Sequence, residues 1–347
     1  MTSKLRGVAV LLVAGGCHRA DRAPPPAREV VFTYTAHALP LPAGSGSAGV
    51  GMDLIAYDAH SNAVWVPAGN TGAVDVLDVA SGKLSQVSGF ATAEIERDGK
   101  QRTVGPSAAA VGDKVVYVGD RADSSLCAID EATLVKTTCA TLDGRPDGIA
   151  YVAKTHEVWV TLPRDKAILV LDAATLDAKF RLSLEGVPEG VAVDGTRSRF
   201  YTNYEDKDAT LAIDLDSHAI VATWQPHCGE DGPHGLALDE PAGQLFVACT
   251  TKVETMDVAK GAITGSLDVG EGVDDFDYAP ATHMLYVAAA KAATLTVATV
   301  APSGALSLRA TVPTKPGARN AVVDARGTVY VPHARGGELL VLSPAST

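Results

Sequence analysis

Residues 227–235 read "HCGEDGPHG" and place two histidines, one cysteine and two acids within nine positions. Taken alone, this is the composition of a metal or catalytic site. Imidazole and thiolate suit a borderline ion such as zinc, and carboxylates suit a harder one. Part of the motif is repeated spelling, however. "GPHG" has counterparts in "RPDG" at 145–148 and "VPEG" at 187–190. His234 is therefore one member of a series. Followed through the chain, that register gives Asp53, Ser107, Asp147, Glu189, His234, Asp275 and Arg319. Carboxylates that converge raise one another's pKa unless a cation neutralises them. Oxygen ligands with one imidazole would suit Ca²⁺, Mg²⁺ or Zn²⁺. The sequence thus nominates Asp53, Asp147, Glu189, His234 and Asp275 as candidate metal ligands, with His234 as the catalytic base of a metal-assisted reaction. The competing reading is that these groups only solvate a polar channel.

A second set belongs to loops expected on the same face, among them Asp120, Arg121, Arg164, Asn203, Tyr204 and His333. Cations would then surround an acidic centre and could hold an anionic or polar ligand. Ser107, Arg164, Asn203, Tyr204, Arg319 and His333 are the candidate ligand contacts. Tyr204 is expected to be a loop aromatic outside the packing register.

The elements that position these residues come from an internal repeat. Residues 146–186, 188–229 and 233–272 share one grammar. A short apolar strand leads to a polar turn, a strand carrying an aromatic, a loop, a strand ending in Asp, a tight turn and a last strand. Seven aromatics hold the second-strand position: Trp65, Tyr117, Trp159, Tyr201, Phe246, Tyr286 and Tyr330. Repeats of about 40–45 residues with four short strands and no helical period predict an all-β fold, a seven-bladed β-propeller with four antiparallel strands per blade. The last unit lacks its outer strand, whereas "REVVFTYTAHALPLP" precedes the first. An N-terminal strand should therefore complete the last blade and remove an open edge. Residues 91–104 are an insertion, and Asp98-Gly99 within it signals a type I′ hairpin turn. The recurrent Asp78, Asp130, Asp172, Asp214 and Asp257 start turns and are not a set of catalytic acids.

"YTNYEDKDATLAIDLDSHAIVAT" at 201–223 resembles the YVTN repeat. From residue 30 onward the chain is similar to the YncE-like seven-bladed propellers of bacterial cell envelopes. The resemblance implies the fold and does not fix a function, because related propellers include lactonases, lyases and pure binding proteins.

Residues 1–16 read as a secretory signal: Lys4 and Arg6, a short apolar run, then "AGGC" ending at Cys17. That ending resembles a bacterial lipoprotein signal, which would make Cys17 the lipidated residue and residues 17–29 a Pro-rich tether before a single propeller domain at 30–347. An exported chain can oxidise Cys127 with Cys139 and Cys228 with Cys249. A cluster of Cys228 and Cys249 with His227 and His234 is the alternative for the second pair. A net charge of −12 argues against a nucleic-acid footprint. No G-x-S-x-G, Walker A or H-E-x-x-H is present. The expectation is an exported, monomeric envelope protein, touching the membrane only through its lipid and binding a small ligand, a cation or an envelope protein. The alternative is a metal-dependent hydrolase or lyase, such as a lactonase, working at the channel mouth.

Overall fold

Short strands that are apolar on both faces need cover on both sides, and stacking sheets around an axis supplies it. The computed structural model describes residues 33–42, 49–97 and 99–345. Seven four-stranded antiparallel sheets and one two-stranded hairpin make up the fold. The blades run 56–88, 106–141, 149–183, 188–224, 233–268, 273–313 and 322–344, numbered here 1 to 7. In blades 1 to 6 the strands lie in chain order from the innermost outward. Blade 7 is finished by Tyr34–Pro40, which pairs with Glu338–Pro344 from Tyr34↔Pro344 to Pro40↔Glu338. The expected closure by an N-terminal strand is therefore present. The signal segment, the tether and Cys17 lie outside the described residues.

The seven second-strand aromatics are all buried, from Trp65 and Trp159 at 0 % to Tyr330 at 4 % exposure. Each fills the space between its own sheet and a neighbour, as in the stacking of Trp159 on Phe200 at 4.7 Å between ring centroids. The acids that end the third strands hold turns. Asp78 accepts from the Ser81 N–H at 2.7 Å, Asp130 from Thr133 at 2.8 Å and Asp214 from Ser217 at 2.9 Å. Backbone donors hold the carboxyls of Asp78 and Asp172 below the usual range. For Asp130 the Thr133 hydroxyl, seconded by that backbone N–H, has the same effect.

Cys127–Cys139 and Cys228–Cys249 are both disulfides, with Cα atoms 4.1 and 5.0 Å apart. The first joins directly opposed residues of the third and outer strands of blade 2. The second ties the segment leading into blade 5 to the end of its second strand, so the cysteine–histidine cluster gives way to a covalent bond. Two disulfides point to an oxidising, extracytoplasmic environment. Among the described residues no helix is long and apolar enough to cross a membrane.

The insertion between blades 1 and 2 forms the expected hairpin, Ala93–Arg97 paired with Lys100–Val104. Gly99 takes φ 69°, the left-handed conformation that the turn requires.

Candidate ligand-binding site

Strand pairing fixes the lead-in register from observed partners. Trp65 faces Ala56, Trp159 faces Ala150, Tyr201 faces Ala192, Phe246 faces Ala237, Tyr286 faces Asp277 and Tyr330 faces Val322. The residue three before each innermost partner is Asp53, Asp147, Glu189, His234, Asp274 or Arg319. Tyr117 faces Ala110, which adds Ser107. Blade 6 thus contributes Asp274 to the ring, a correction to the Asp275 expected from sequence. Asp275 occupies the place of Gly148, Gly190 and Gly235 in the neighbouring blades.

The ring residues meet through arginine. Arg121, just after the second strand of blade 2, donates from Nη1 to Asp53 Oδ2 at 2.8 Å, from Nη2 to Asp147 Oδ1, and from Nε to the Pro146 carbonyl at 3.3 Å. Arg319 donates from Nη2 to Asp53 Oδ1 at 3.1 Å and from Nη1 pairs with Asp274 Oδ2 at 2.8 Å. Asn320 supports Asp53 through its amide at 3.2 Å. The result is an alternating arc, Asp147–Arg121–Asp53–Arg319–Asp274, running across blades 3, 2, 1, 7 and 6. Guanidinium groups neutralise the crowded carboxylates where the sequence reading would have put a metal ion. Among the described residues no three His, Cys, Asp or Glu side chains are grouped so as to hold a metal.

Blades 4 and 5 complete the ring differently. His234 lies 3.4 Å from the Thr250 hydroxyl through Nε2. Glu189 lines the mouth with its carboxyl pushed well above the ordinary range, first by burial and then by Asp274, Glu205, Asp53 and Asp275. Such a shift favours the protonated carboxyl, which can donate a hydrogen bond. Asp275 sits deeper and is raised to about 8 by burial, with an opposing hydrogen bond from the Phe276 N–H and further repulsion from Asp274, Asp277 and Asp53. Asp277, further along the channel wall, is raised to about 6 by burial.

The mouth is a cavity of about 410 Å³ whose wall includes Asp53, Arg121, Arg145, Asp147, Arg164, Glu189, Glu205, Asp274 and Arg319. Arg145 and Arg164 differ from the other two arginines, because among the described residues neither has a hydrogen-bond or ion-pair partner. Below the mouth, a channel of about 340 Å³ is lined by the innermost strands, with Asp275, Asp277 and Asn320 among its lining residues.

The structure brings Asp53, Asp147, Glu189, Arg164 and Arg319 to this cavity. It places three other candidate ligand contacts elsewhere. Asn203 is fully buried, its amide nitrogen bonded to the His234 carbonyl and its oxygen accepting from Thr210 at 2.7 Å. Tyr204 is not a loop aromatic: it ends the second strand of blade 4, is 5 % exposed, and its hydroxyl accepts from the Glu185 N–H at 3.1 Å. The strand runs further than its pattern suggested, so the ring packs in the core shared by blades 3 and 4. His333 is buried and lies 2.8 Å from Glu338 Oε1. Sequence reasoning missed Asp274, Arg145 and Glu205. The Gly that follows the ring residue in three blades was the available signal for Asp274.

No family model and no curated protein matches this chain. Solved structures do resemble it. A chain of a mitotic checkpoint complex aligns with a TM-score of 0.69 at 13 % identity, covering 98 % of this chain and 100 % of that one. Virginiamycin B lyase from Staphylococcus aureus aligns with a TM-score of 0.68 at 14 % identity, covering 90 % and 99 %. A streptogramin B lyase gives 0.68 at 12 %, covering 90 % and 98 %. At these identities the likeness extends to the propeller fold.

Proposed function

We propose that this chain is an extracytoplasmic binding protein that captures a small anionic ligand, bearing a carboxylate or phosphate, at the mouth of its propeller. The observation that carries this reading is the division among the mouth arginines. Arg121 and Arg319 are consumed by the acidic arc, whereas Arg145 and Arg164 line the cavity without partners among the described residues. Unpaired guanidinium groups beside a concave polar wall are ready donors for an oxyanion. The upward shift of the Glu189 carboxyl favours its protonated form, which lessens repulsion of an anionic ligand and offers it a donor. The resemblance to YncE-like envelope propellers and the signal-like first residues agree with an envelope lipoprotein that displays this mouth outside the cytoplasm. The metal-dependent hydrolase or lyase reading draws no support from the grouping of side chains among the described residues.

Titration with acetate and with inorganic phosphate, followed calorimetrically, tests the reading. Both anions should bind, and Arg164→Ala should weaken them about tenfold or more, the cost of one charge-assisted hydrogen bond. Affinity should fall as pH rises and Glu189 loses its proton, and Glu189→Gln should flatten that dependence. Absence of anion binding, or indifference to Arg164→Ala, would overturn the proposal.

A further inference from the structure

Among the described residues, the hairpin Ala93–Arg97/Lys100–Val104 is an addition that no other blade junction shares. Directly opposed residues of an antiparallel pair project to the same face. Ala93 opposes Val104 and Ile95 opposes Arg102, so these four share one face. Glu94 opposes Thr103 and Glu96 opposes Gln101 on the other. The first face is apolar and basic, whereas the second carries the acids. Ile95 and Val104 form part of the mouth wall, and with Arg102 they also line an adjoining chamber of about 210 Å³. Its floor includes Met52, Asp53, Pro106, Ser107, Arg121 and Arg319.

Two features set this chamber apart. Its charged lining is three arginines, Arg102, Arg121 and Arg319, against one acid, Asp53, whereas the mouth proper mixes four arginines with five acids. Arg102 has no partner among the described residues. In addition, Ser107 is 7 % exposed and its hydroxyl has no hydrogen-bond partner among the described residues. A buried hydroxyl without a partner is uncommon. Rotation about one side-chain bond redirects it at the loss of no existing bond.

We infer that the hairpin chamber is a second anion subsite, in which Arg102 and Ser107 take one oxyanion of a small dianionic ligand, such as a dicarboxylate, while Arg145 and Arg164 hold the other. The inference rests on the anion-binding reading of the mouth and narrows its ligand class. The Asp53–Arg121 pair lies on the wall common to both compartments, so the ligand spans it. Ile95 and Val104 cover the connecting carbon chain and exclude water from it.

The purified protein titrated with acetate, succinate, glutarate and adipate separates the two claims. At least one dicarboxylate should bind about tenfold or more tightly than acetate, with a preferred length. Arg102→Ala and Ser107→Ala should each remove that advantage, bringing dicarboxylate affinity down toward that of acetate. Arg102 is exposed, so its replacement should not disturb folding, and thermal unfolding of each variant checks this. Arg164→Ala should weaken acetate and dicarboxylates alike. If the dicarboxylates bind no better than acetate, or if their advantage survives Arg102→Ala, the chamber is not a subsite although the mouth reading stands. If no anion binds, both fall together.

Discussion

Asp275 is half-buried in the channel wall, and loss of solvation there raises its pKa to about 8. In the unfolded chain an aspartate ionises near pH 4. Between those values the folded state binds more protons than the unfolded one, so this residue's contribution to stability declines as pH rises from about 4 to 8. Burial is the leading cause, and the acids around it add to the effect. Asp275→Asn preserves the shape of the neutral side chain and cannot ionise. Thermal unfolding should show the variant gaining on the parent at pH 8 by several degrees and matching it near pH 4. An offset equal at both pH values would contradict the assignment. The side chain also explains a misreading. "PEG" and "PHG" place the ring residue before Gly, but blade 6 spells "VDD". Gly190 needs φ 67°, and a Cβ there would lie 2.4 Å from the His234 carbonyl. Neighbouring lead-ins approach closely at this step, and two adjacent acids hid which one replaced the Gly.

At the scale of elements, the strands, the hairpin and both disulfides were legible because each follows a local rule: alternation, Asp-Gly at the turn, cysteines at facing positions. What sequence could not supply was which loop cation meets which carboxylate. Arg121 bridges Asp53 and Asp147, which lie 68 and 26 positions away, and only ring geometry creates that meeting. Asn203, His333 and Tyr204 were expected in the loops of the right face, yet they stand at the ends of second strands and turn inward to satisfy the backbone and fill the core. The Cys228–Cys249 bond illustrates how an element sets the site. It encloses a 21-residue separation that contains His234 and the first strand of blade 5. Closing such a loop restricts the unfolded chain and is worth about 2–4 kcal/mol. The paired replacement Cys228→Ser with Cys249→Ser should therefore lower unfolding free energy by that amount in denaturant titration. An unchanged midpoint and slope would show that the bond carries no stability.

For the whole molecule, the decisive contact is the one that makes a row of blades into a ring. Tyr34–Pro40 is mostly exposed along its length, so it buries little apolar surface and acts through its ladder to Glu338–Pro344. Its partner is "ELLVLSP", whose Leu339, Leu340, Val341 and Leu342 are buried. Without the terminal strand that apolar strand becomes a bare edge, the kind that pairs with other chains. The ladder covers seven register pairs. At about 1 kcal/mol net for each backbone hydrogen bond, its removal should cost on the order of 5 kcal/mol. A chain lacking residues 34–40 should melt earlier and self-associate with rising concentration in sedimentation experiments. A peptide of sequence "YTAHALP" added in trans should dock by strand addition and reverse both changes. Rescue by the peptide distinguishes an open edge from general misfolding. A truncated protein that stays monomeric with unchanged melting would show that the other six blades close the ring without it.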